Sequence, residues 1–498
     1  MAMMQCKLGR IVLFMVLSAC YTEANAVELT IYSSAAPGTL SSNNPNLNEA
    51  LPGYAYVIDR RDLTLQSGQN EVRYTHIPSY IDPTTVQFRS LTDVAGTEIL
   101  QQKYRFDLLN NQTLLESYLG KEITVEQGHG SDLGSFTGIL LNTQNGLTLQ
   151  DKNKQIVTVN NYSAIRLSLI EDEGFKQPTL FWNIVAKKQG LHQTETRYQT
   201  KGITWWADYN ALFEEKGDPN SGTLELNSWV TVMNKTGLNF DSADLKLVAG
   251  DVNTAPPQQL PRANLMMAAK VGYSGSAGFT EKPFFEYHVY ALNGKISLAN
   301  NATQQIKFLP KISKIPVEKL YIYNSNPGML YTGYNNTERY VNTSVPAKVD
   351  VYLKWKNTSR AGLGIPLPVG RVRISAISKS NKSPEFIGED VIDHTARDEE
   401  IQIKMGSAFD VSVEKKQTDF SLDENRHILE ESFEIVIKNH KDQDVKVFIQ
   451  ENFYRTANWE ILKNSNPFEK INSGTIKFPL VVKASGEAKV QYTARYTW

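Results

Sequence analysis

Apolar and polar residues alternate with a period of two along most of this chain. The clearest stretch runs from Tyr198 to Asp251, and its centre, Leu224–Val232, has an apolar side chain at almost every second position. A two-residue period is the repeat of a strand with one buried face. The turn-forming residues Asn234–Gly237 follow, and Leu245–Val248 then resumes the alternation. We therefore predict a β-sandwich hairpin in this stretch.

The same period returns between residue 300 and the last residue. It covers Val349–Trp355, Phe433–Ile437 and Val490–Trp498. Strand follows strand with few helical patterns between them, which predicts an all-β fold. We expect immunoglobulin-like β-sandwich regions at 178–299 and at 300–498.

A third pattern, at about residues 104–170, consists of short strands separated by turns. A short helix or turn at Leu114–Lys121 comes first, and Asn145-Gly146 supplies a hairpin turn. Five strands in so few residues are typical of a small SH3-like or Sm-like barrel. We predict that this barrel is inserted in an N-terminal β region, residues 27–177. The predicted barrel strands are Glu122–Glu126, Ser135–Leu141, Leu147–Gln150, Gln155–Val159 and Ala164–Leu167.

Three strand ends share a short echo in which an asparagine is followed by a polar turn. The asparagines are Asn234, Asn357 and Asn439. Asparagine tolerates left-handed backbone and hydrogen-bonds its own turn, so the echo has a local cause. Its irregular spacing indicates similar sandwich hairpins and not a solenoid.

Composition limits the choice of function. The chain has 498 residues, enough for about three domains, and its net charge is −1. A chain without a basic field is a poor ligand for nucleic acid, so we expect no nucleic-acid partner. No run of 18 apolar residues follows the N-terminal region, so we expect no transmembrane helix.

The first residues have the pattern of an export signal. Lys7 and Arg10 precede a short apolar segment, and two exits follow it. Cleavage after Ala26 would make residues 1–26 a signal peptide, whereas Leu17–Cys20 fits a lipobox in which Cys20 becomes lipidated. We favour cleavage after Ala26, because a strand pattern begins almost at once. Cys6 and Cys20 are the only cysteines of the chain, so the mature protein contains no disulfide.

Several segments, in order, resemble bacterial proteins that carry the domain of unknown function 4139. The resemblance covers about residues 180–498 and implies an exported, mainly β protein of Gram-negative type, with no established activity. Some relatives are named mucoidy inhibitors, but those carry an N-terminal coiled coil and this chain has no sustained heptads. The segments that carry the resemblance are Tyr198–Trp205, Ala207–Tyr209, Asn234–Gly237, Leu247–Asp251, Leu367–Arg373, Ile387–Thr395 and Gly406–Asp410.

The densest polar cluster of the sequence lies between residues 388 and 410. His394 could act as a general base or a metal ligand with Asp390 or Asp393 as its partner, and Arg397 and Asp410 complete the candidate site. The alternative is a solvated turn in which His394 bonds backbone and Arg397 pairs with a neighbouring carboxylate. We favour the turn.

Trp205 and Trp206 form a second candidate, because aromatic rings beside a carboxylate can stack on a sugar. On a strand, however, neighbouring side chains point to opposite faces. At least one of the two rings should therefore belong to the core.

The sequence lacks the common catalytic and phosphate-binding motifs, including HExxH, GxxxxGK[ST] and GxSxG. We predict no cofactor, no metal site and no catalytic residues. The leading hypothesis is a periplasmic or outer-membrane-associated protein that binds or scaffolds an envelope protein or polysaccharide without catalysis. The alternative is an envelope polysaccharide hydrolase that uses the His394 cluster.

Overall fold

The computed structural model confirms the all-β prediction. It describes residues 26–32, 51–105, 111–128, 134–144, 146–168, 177–250, 279–284, 287–325, 331, 333–339, 347–377 and 382–498. Strands dominate these ranges, within which the only α-helix is α1 (Asn111–Glu116). No helix in this part of the chain is long and apolar enough to cross a membrane.

The strands are numbered in chain order. Those before residue 200 are β1 (Ala26–Tyr32), β2 (Tyr54–Leu65), β3 (Gly68–Tyr74), β4 (Ile81–Ser90), β5 (Thr97–Arg105), β6 (Glu122–Gln127), β7 (Gly134–Asn142), β8 (Leu147–Gln150), β9 (Ile156–Val159), β10 (Ala164–Leu167), β11 (Thr179–Ala186) and β12 (Gly190–Thr200). Those after residue 200 are β13 (Ile203–Glu215), β14 (Ser221–Asn234), β15 (Phe240–Ala249), β16 (Phe279–Phe284), β17 (Tyr287–Leu298), β18 (Ala302–Ser325), β19 (Ala347–Lys356), β20 (Gly370–Ile377), β21 (Pro384–Ile392), β22 (Glu400–Asp423), β23 (Ile428–Asn439), β24 (Val445–Asn452), β25 (Asn458–Asn464), β26 (Glu469–Asn472), β27 (Thr475–Val482) and β28 (Glu487–Thr497).

The chain divides into two compact units. Of the described residues, the first unit holds Ile58–His76 and most of Thr85–Tyr198, and the second holds Ile77–Thr84, Gln199–Trp498 and the segments between residues 28 and 57. This division differs from the predicted boundaries at 177/178 and 299/300. In particular, β14 pairs with β18, so strands on both sides of position 300 belong to one sheet.

Besides the small barrel, the first unit contains the sheet β3-β11-β5 and the greater part of β2, β12 and β4. β2, β12 and β4 lie side by side in that order. The buried side of β11 carries Trp182, which packs against Tyr74 at 4.5 Å and Phe88 at 5.3 Å between ring centroids. The indole nitrogen of Trp182 donates to Gln102 Oε1 at 2.8 Å, which satisfies the one polar atom of this buried ring.

The five strands predicted for the small barrel form close to the predicted positions, with α1 before them, but they make an open sheet and not a closed barrel; the name small barrel is kept for this sheet. Their order is β10-β6-β7-β8-β9, so the last strand returns beside the first. No ladder joins β9 to β10 among the described residues, and the sheet is therefore open at that edge. The small barrel has its own apolar core, made of Leu115, Tyr118, Ile123, Val125, Leu140, Leu147, Leu149 and Val159.

The second unit is built mainly on a large mixed sheet with the order β21-β20-β13-β14-β18-β19-β22-β23-β28-β25. The 24-residue strands β18 and β22 each change partner along their length. β18 pairs with β14, then with β19 and β24, while β22 pairs first with β19 and then with β23.

Because these long strands change partner along their length, two layers of sheet pack face to face in the C-terminal part of the chain. Alternate residues of β23, β24, β27 and β28 are buried, and the apolar ones among them belong to one core cluster. This is the sandwich that the two-residue period predicted.

Candidate functional site

Trp205 and Trp206 point to opposite sides of β13, as predicted. Trp205 is buried, and its indole nitrogen donates to the Ile31 carbonyl at 3.1 Å. Trp206 is half-buried, and its indole nitrogen donates to Asp208 Oδ2 at 2.8 Å. The two rings therefore do not form one stacking platform.

Asp208 is fully engaged by neighbours on the same face as Trp206. Its Oδ2 also accepts from Thr231 Oγ1 at 3.0 Å, and Arg373 Nη1 lies 3.4 Å from its Oδ1. A buried carboxylate with this many partners stabilises the fold and is not available to a ligand.

In the His394 cluster, two of the four predicted residues bond the backbone. Asp390 accepts from the Val391 amide at 2.9 Å and from the Lys404 amide at 2.9 Å. His394 Nδ1 accepts from the Val369 amide at 3.1 Å, and its side chain is exposed.

The other two predicted residues lie on the surface with partners of their own. Arg397 pairs with Asp398 at 3.3 Å, and Asp410 lies 3.8 Å from Lys441 Nζ. Asp390 contacts β22 at Lys404, six residues before Asp410, a distance of about 20 Å along an extended strand. The structure does not bring these residues into one site. Across the described ranges, no three His, Cys, Asp or Glu side chains are placed to hold a metal ion. Cys20 lies outside the described residues.

A site that the sequence did not indicate lies on the open face of the sheet β3-β11-β5. A groove of about 590 Å³ runs over this face. Its lining consists of Glu71, Val72, Arg73, Gln101, Lys103, Arg105, Phe181, Trp182 and Asn183.

Register places an aromatic ring between two cations at the centre of the groove. Phe181 pairs with Arg73 on β3 and with Lys103 on β5. The Arg73 guanidinium carbon lies 5.8 Å from the centroid of the Phe181 ring. Both cationic side chains are exposed, and Phe181 is half-buried. The arrangement offers an apolar ring flanked by positive charge.

The next pairs along the sheet add charge and hydrogen-bonding groups. Thr179 pairs with Arg105, and Asn183 pairs with Glu71 and with Gln101. Three cations thus face a single lining carboxylate, that of Glu71. The side-chain oxygen of Asn183 is buried and accepts no hydrogen bond from the described residues.

The residues buried on the reverse side of the sheet explain why the side chains of the groove point to solvent. Tyr74, Leu180, Trp182 and Ile184 are buried there, so alternation forces the residues between them outward. Tyr104, on β5, pairs with Leu180 on this reverse side, and burial raises the pKa of its phenol to about 12.

Only part of this site has a sequence signal. The alternation of Glu71, Val72, Arg73 and Tyr74 indicates a half-buried strand. The pairing of β3 and β5 with β11, which lies more than seventy residues further along the chain, has no local signature.

Comparison with protein-family models and with curated proteins gives no relative on which to base a function. No protein-family model matches the chain, and no curated protein matches it.

Proposed function

We propose that this is an exported, non-enzymatic protein of the bacterial cell envelope that binds an acidic polysaccharide on the open face of the sheet β3-β11-β5. The observation that carries the proposal is the row Arg73–Phe181–Lys103 across three adjacent strands. Export rests on the N-terminal pattern of the sequence, and kinship with proteins that carry the domain of unknown function 4139 rests on the quoted segments.

Each chemical feature of an acidic sugar chain has a counterpart in the groove. Its carboxylate, phosphate or sulfate groups suit Arg73, Lys103 and Arg105. The apolar face of a sugar ring suits Phe181, and its hydroxyl groups suit the exposed side chains of Gln101 and Glu71.

Binding without hydrolysis is the better account of this groove. Hydrolysis of a glycosidic bond ordinarily needs two carboxyl groups on either side of the bond. The groove lining contains one, Glu71. The surface positions of Asp390, His394 and Asp410 also give the hydrolase alternative no assembled site to propose.

The test is calorimetric titration of the protein with polygalacturonate, a linear polyuronate, against neutral dextran. We expect binding of polygalacturonate that weakens as NaCl is raised, since salt screens exposed charges. The double variant Arg73→Ala/Lys103→Ala should bind about tenfold more weakly, as expected for the loss of two exposed ion pairs.

Lys187→Ala/Lys188→Ala is the matched control, because it removes the same charge from the exposed turn that follows β11 in the same unit. It should bind as the wild type does. Equal binding of dextran, or full affinity in Arg73→Ala/Lys103→Ala, would refute the proposal. Tighter binding of a single-stranded oligonucleotide would assign the groove to a different polymer.

Export has a separate test in the mass of the mature protein from fractionated cells. We expect a periplasmic chain that begins at Val27. Intact protein in the cytoplasm, still carrying Met1, would contradict export.

A further inference from the structure

The outer side of β13 and β14, in the second unit, carries two tryptophan rings on adjacent strands. Trp206 pairs with Thr231 across these strands, and Trp229 pairs with Asp208. Trp229 is therefore the diagonal neighbour of Trp206 on the same side of the sheet, at about 7–8 Å. Both rings are half-buried, whereas Trp205 points into the core. The sheet thus gives Trp206 an aromatic neighbour that its neighbour in the sequence does not provide.

The two indole groups differ in how their N–H groups are used. Trp206 Nε1 donates to Asp208 at 2.8 Å, which fixes the orientation of its ring. Trp229 Nε1 has no acceptor within the described ranges, and it is not a buried atom. Lys307, which pairs with Trp229 from β18, is exposed. A fixed ring beside a ring with a free donor suits a ligand that has apolar faces and hydrogen-bond acceptors.

The next outward pair along the same two strands consists of two asparagines. Asn210 lies directly opposite Asn227, and the Cβ atoms of such pairs are about 4.5–5.5 Å apart. Asn210 is exposed and Asn227 is half-buried, and neither side chain has a hydrogen-bond partner in the part of the chain that the structure describes. An amide side chain has two donor hydrogens and a carbonyl acceptor. Two free amides side by side can therefore bind a third amide through both its N–H and its carbonyl.

The carboxylates beside the tryptophans are already paired. Asp208 lies 3.4 Å from Arg373 and 3.8 Å from Arg371, and Arg373 Nε lies 3.3 Å from Glu389. These two carboxylates and two arginines neutralise one another. Recognition on this face is therefore left mainly to the two amides, the indole N–H and the aromatic rings, a set that favours a ligand with amide groups over a strongly acidic one.

We propose that this face binds a glycan chain built of N-acetylated hexosamines. The residues of the site are Trp206, Trp229, Asn210 and Asn227. The apolar faces of the sugar rings would lie on the indoles. The acetamido group would donate its N–H to one asparagine and accept from the other, and a sugar hydroxyl would accept from Trp229 Nε1.

The inference does not depend on the proposed binding of an acidic polysaccharide. The tryptophans and asparagines are on β13 and β14 of the second unit, whereas the groove is on β3, β11 and β5 of the first. The chemistry that each site recognises also differs, since the groove presents cations and this face presents neutral amides.

The test is calorimetric titration of the protein with chitohexaose and with cellohexaose, which are linear oligosaccharides that differ in the acetamido group. We expect saturable binding of chitohexaose and about tenfold weaker binding of cellohexaose, since the second sugar offers no amide to the asparagines. The absence of saturable chitohexaose binding, or equal affinities for the two sugars, would overturn the proposal.

Two substitutions separate the amides from the rings. Asn210→Ala/Asn227→Ala should weaken chitohexaose about tenfold and leave cellohexaose unchanged, because only the acetamido contacts are lost. Trp229→Ala should weaken both sugars, and Trp229→Phe, which keeps an aromatic ring, should recover most of the affinity for cellohexaose. A urea unfolding curve establishes that each variant folds. Equal losses for both sugars in Asn210→Ala/Asn227→Ala would contradict amide recognition.

Asn458→Ala is the matched control, because it removes an exposed amide from β25 in the same unit. It should bind chitohexaose as the wild type does. Arg73→Ala/Lys103→Ala should also keep full affinity for chitohexaose, and Asn210→Ala/Asn227→Ala should keep full affinity for polygalacturonate. Loss of chitohexaose binding in Arg73→Ala/Lys103→Ala would place the sugar in the groove and overturn the proposal.

Cosedimentation with purified peptidoglycan distinguishes a wall polymer from a free oligosaccharide. A pelleted fraction that falls in Asn210→Ala/Asn227→Ala would identify the glycan strands of the wall as the ligand. Binding of chitohexaose without cosedimentation would assign the face to soluble oligosaccharides of the same chemistry. Failure of both ligands to bind refutes the site.

Discussion

At the scale of single residues, three buried asparagines of the second unit, Asn234, Asn357 and Asn439, donate hydrogen bonds to backbone carbonyls near strand ends. Asn234 and Asn439 are each 1% exposed and make nearly the same contacts. In each, the side-chain nitrogen donates to the carbonyl four residues on and to two consecutive carbonyls of a distant segment. The side-chain oxygen accepts from the amide two residues on. One side chain thus satisfies several buried backbone groups.

Asn439→Ala should destabilise the protein by about 2–4 kcal/mol, because it leaves several buried carbonyls without a donor. The affected carbonyls belong to Gln443, Val482 and Lys483. The measurement is the free energy of unfolding in urea. Asn458→Ala, at an exposed position on β25, is the control and should change it by less than about 0.5 kcal/mol. Equal effects of the two substitutions would contradict this role for Asn439.

Only the local hydrogen bonds of these asparagines were predictable from the sequence. The sequence echo predicted that each asparagine bonds its own turn, and Asn234 and Asn439 do so. The bonds to Leu298, Ala299, Val482 and Lys483 were not predictable, because they join residues more than forty positions apart.

Glu195, on β12, pairs with Arg60, Arg89 and Arg197 and makes the first unit sensitive to acid. Its pKa is lowered in the folded state, so the stability it contributes is present above its unfolded pKa of about 4.3 and is lost as the pH falls through the folded value. Glu195→Gln should cost about 3 kcal/mol at pH 7, since it breaks a buried ion-pair network. It should also flatten the acid dependence below pH 4.

Hydrogen exchange of the β12 amides, measured between pH 6 and pH 3 and corrected for the intrinsic rate, reports this effect locally. The control is Glu98→Gln, because Glu98 is an exposed residue of β5 in the same unit. It should leave the acid dependence of β12 unchanged. An acid dependence that is the same in Glu195→Gln and in the wild type would disprove the assignment to Glu195.

At the scale of elements, the glycines of β7 show how closely the barrel strands approach one another. A Cβ atom at Gly138 would lie 2.5 Å from the Gln150 carbonyl oxygen, whereas one at Gly134 would meet only the Gln127 oxygen at 3.8 Å. Backbone atoms cannot move aside as a flexible side chain can. The first position therefore requires glycine and the second does not.

Gly138→Ala should destabilise the barrel by about 1–3 kcal/mol through overpacking, and Gly134→Ala should have little effect. The measurement is hydrogen exchange of the β8 amides, whose protection depends on pairing with β7. Equal protection of the β8 amides in the two variants would contradict the prediction, because it would show that the strands make room for a methyl group at position 138 at no cost.

The geometry of strands and turns also explains why the sequence predicted the orientation of Trp205 and Trp206 but could not show whether the His394 cluster comes together. The two-residue period was enough to place Trp205 inward and Trp206 outward. For the His394 cluster, the sequence signal was the local density of polar residues. Side chains that are neighbours in the sequence on a turn or a strand point in different directions. A high local density of polar residues therefore does not bring their side chains together in space. Asp390 and Asp410 lie on different strands, and each has its own local partners.

At the scale of the whole molecule, the period of two predicted the all-β sandwich fold and the five barrel strands, but not the division into units. The sequence shows where strands lie, whereas the units depend on which strands pair. β18 illustrates the difference, since it begins just after the predicted boundary at 300 and pairs with β14 before it. Nothing local to residues 302–325 indicates that partner.

The pairing of β5 with β11 identifies the barrel as an insertion in a β-hairpin. Arg105, the last residue of β5, pairs with Thr179, the first residue of β11. Paired Cα atoms of antiparallel strands lie about 5 Å apart, a distance that a two-residue turn spans. The described strands between them, β6 to β10, form the small barrel with its own apolar core and belong to a separate sheet.

Replacing residues 106–178 by Asn-Gly should therefore give a folded protein. A shorter loop loses less entropy on closure, by about 0.6 kcal/mol for each halving of its length, so the urea midpoint should stay the same or rise. Circular dichroism should keep its β signature, and polygalacturonate should still bind, because every residue of the groove lies outside the excised segment or on its flanking strands. Gly138→Ala provides the control, since it damages the barrel within the intact chain and should leave the unfolding of the rest unchanged. A truncated chain that aggregates would show that the barrel and the sheet β3-β11-β5 fold as one cooperative unit. If it folds but no longer binds the polymer, the barrel itself contributes to the ligand site.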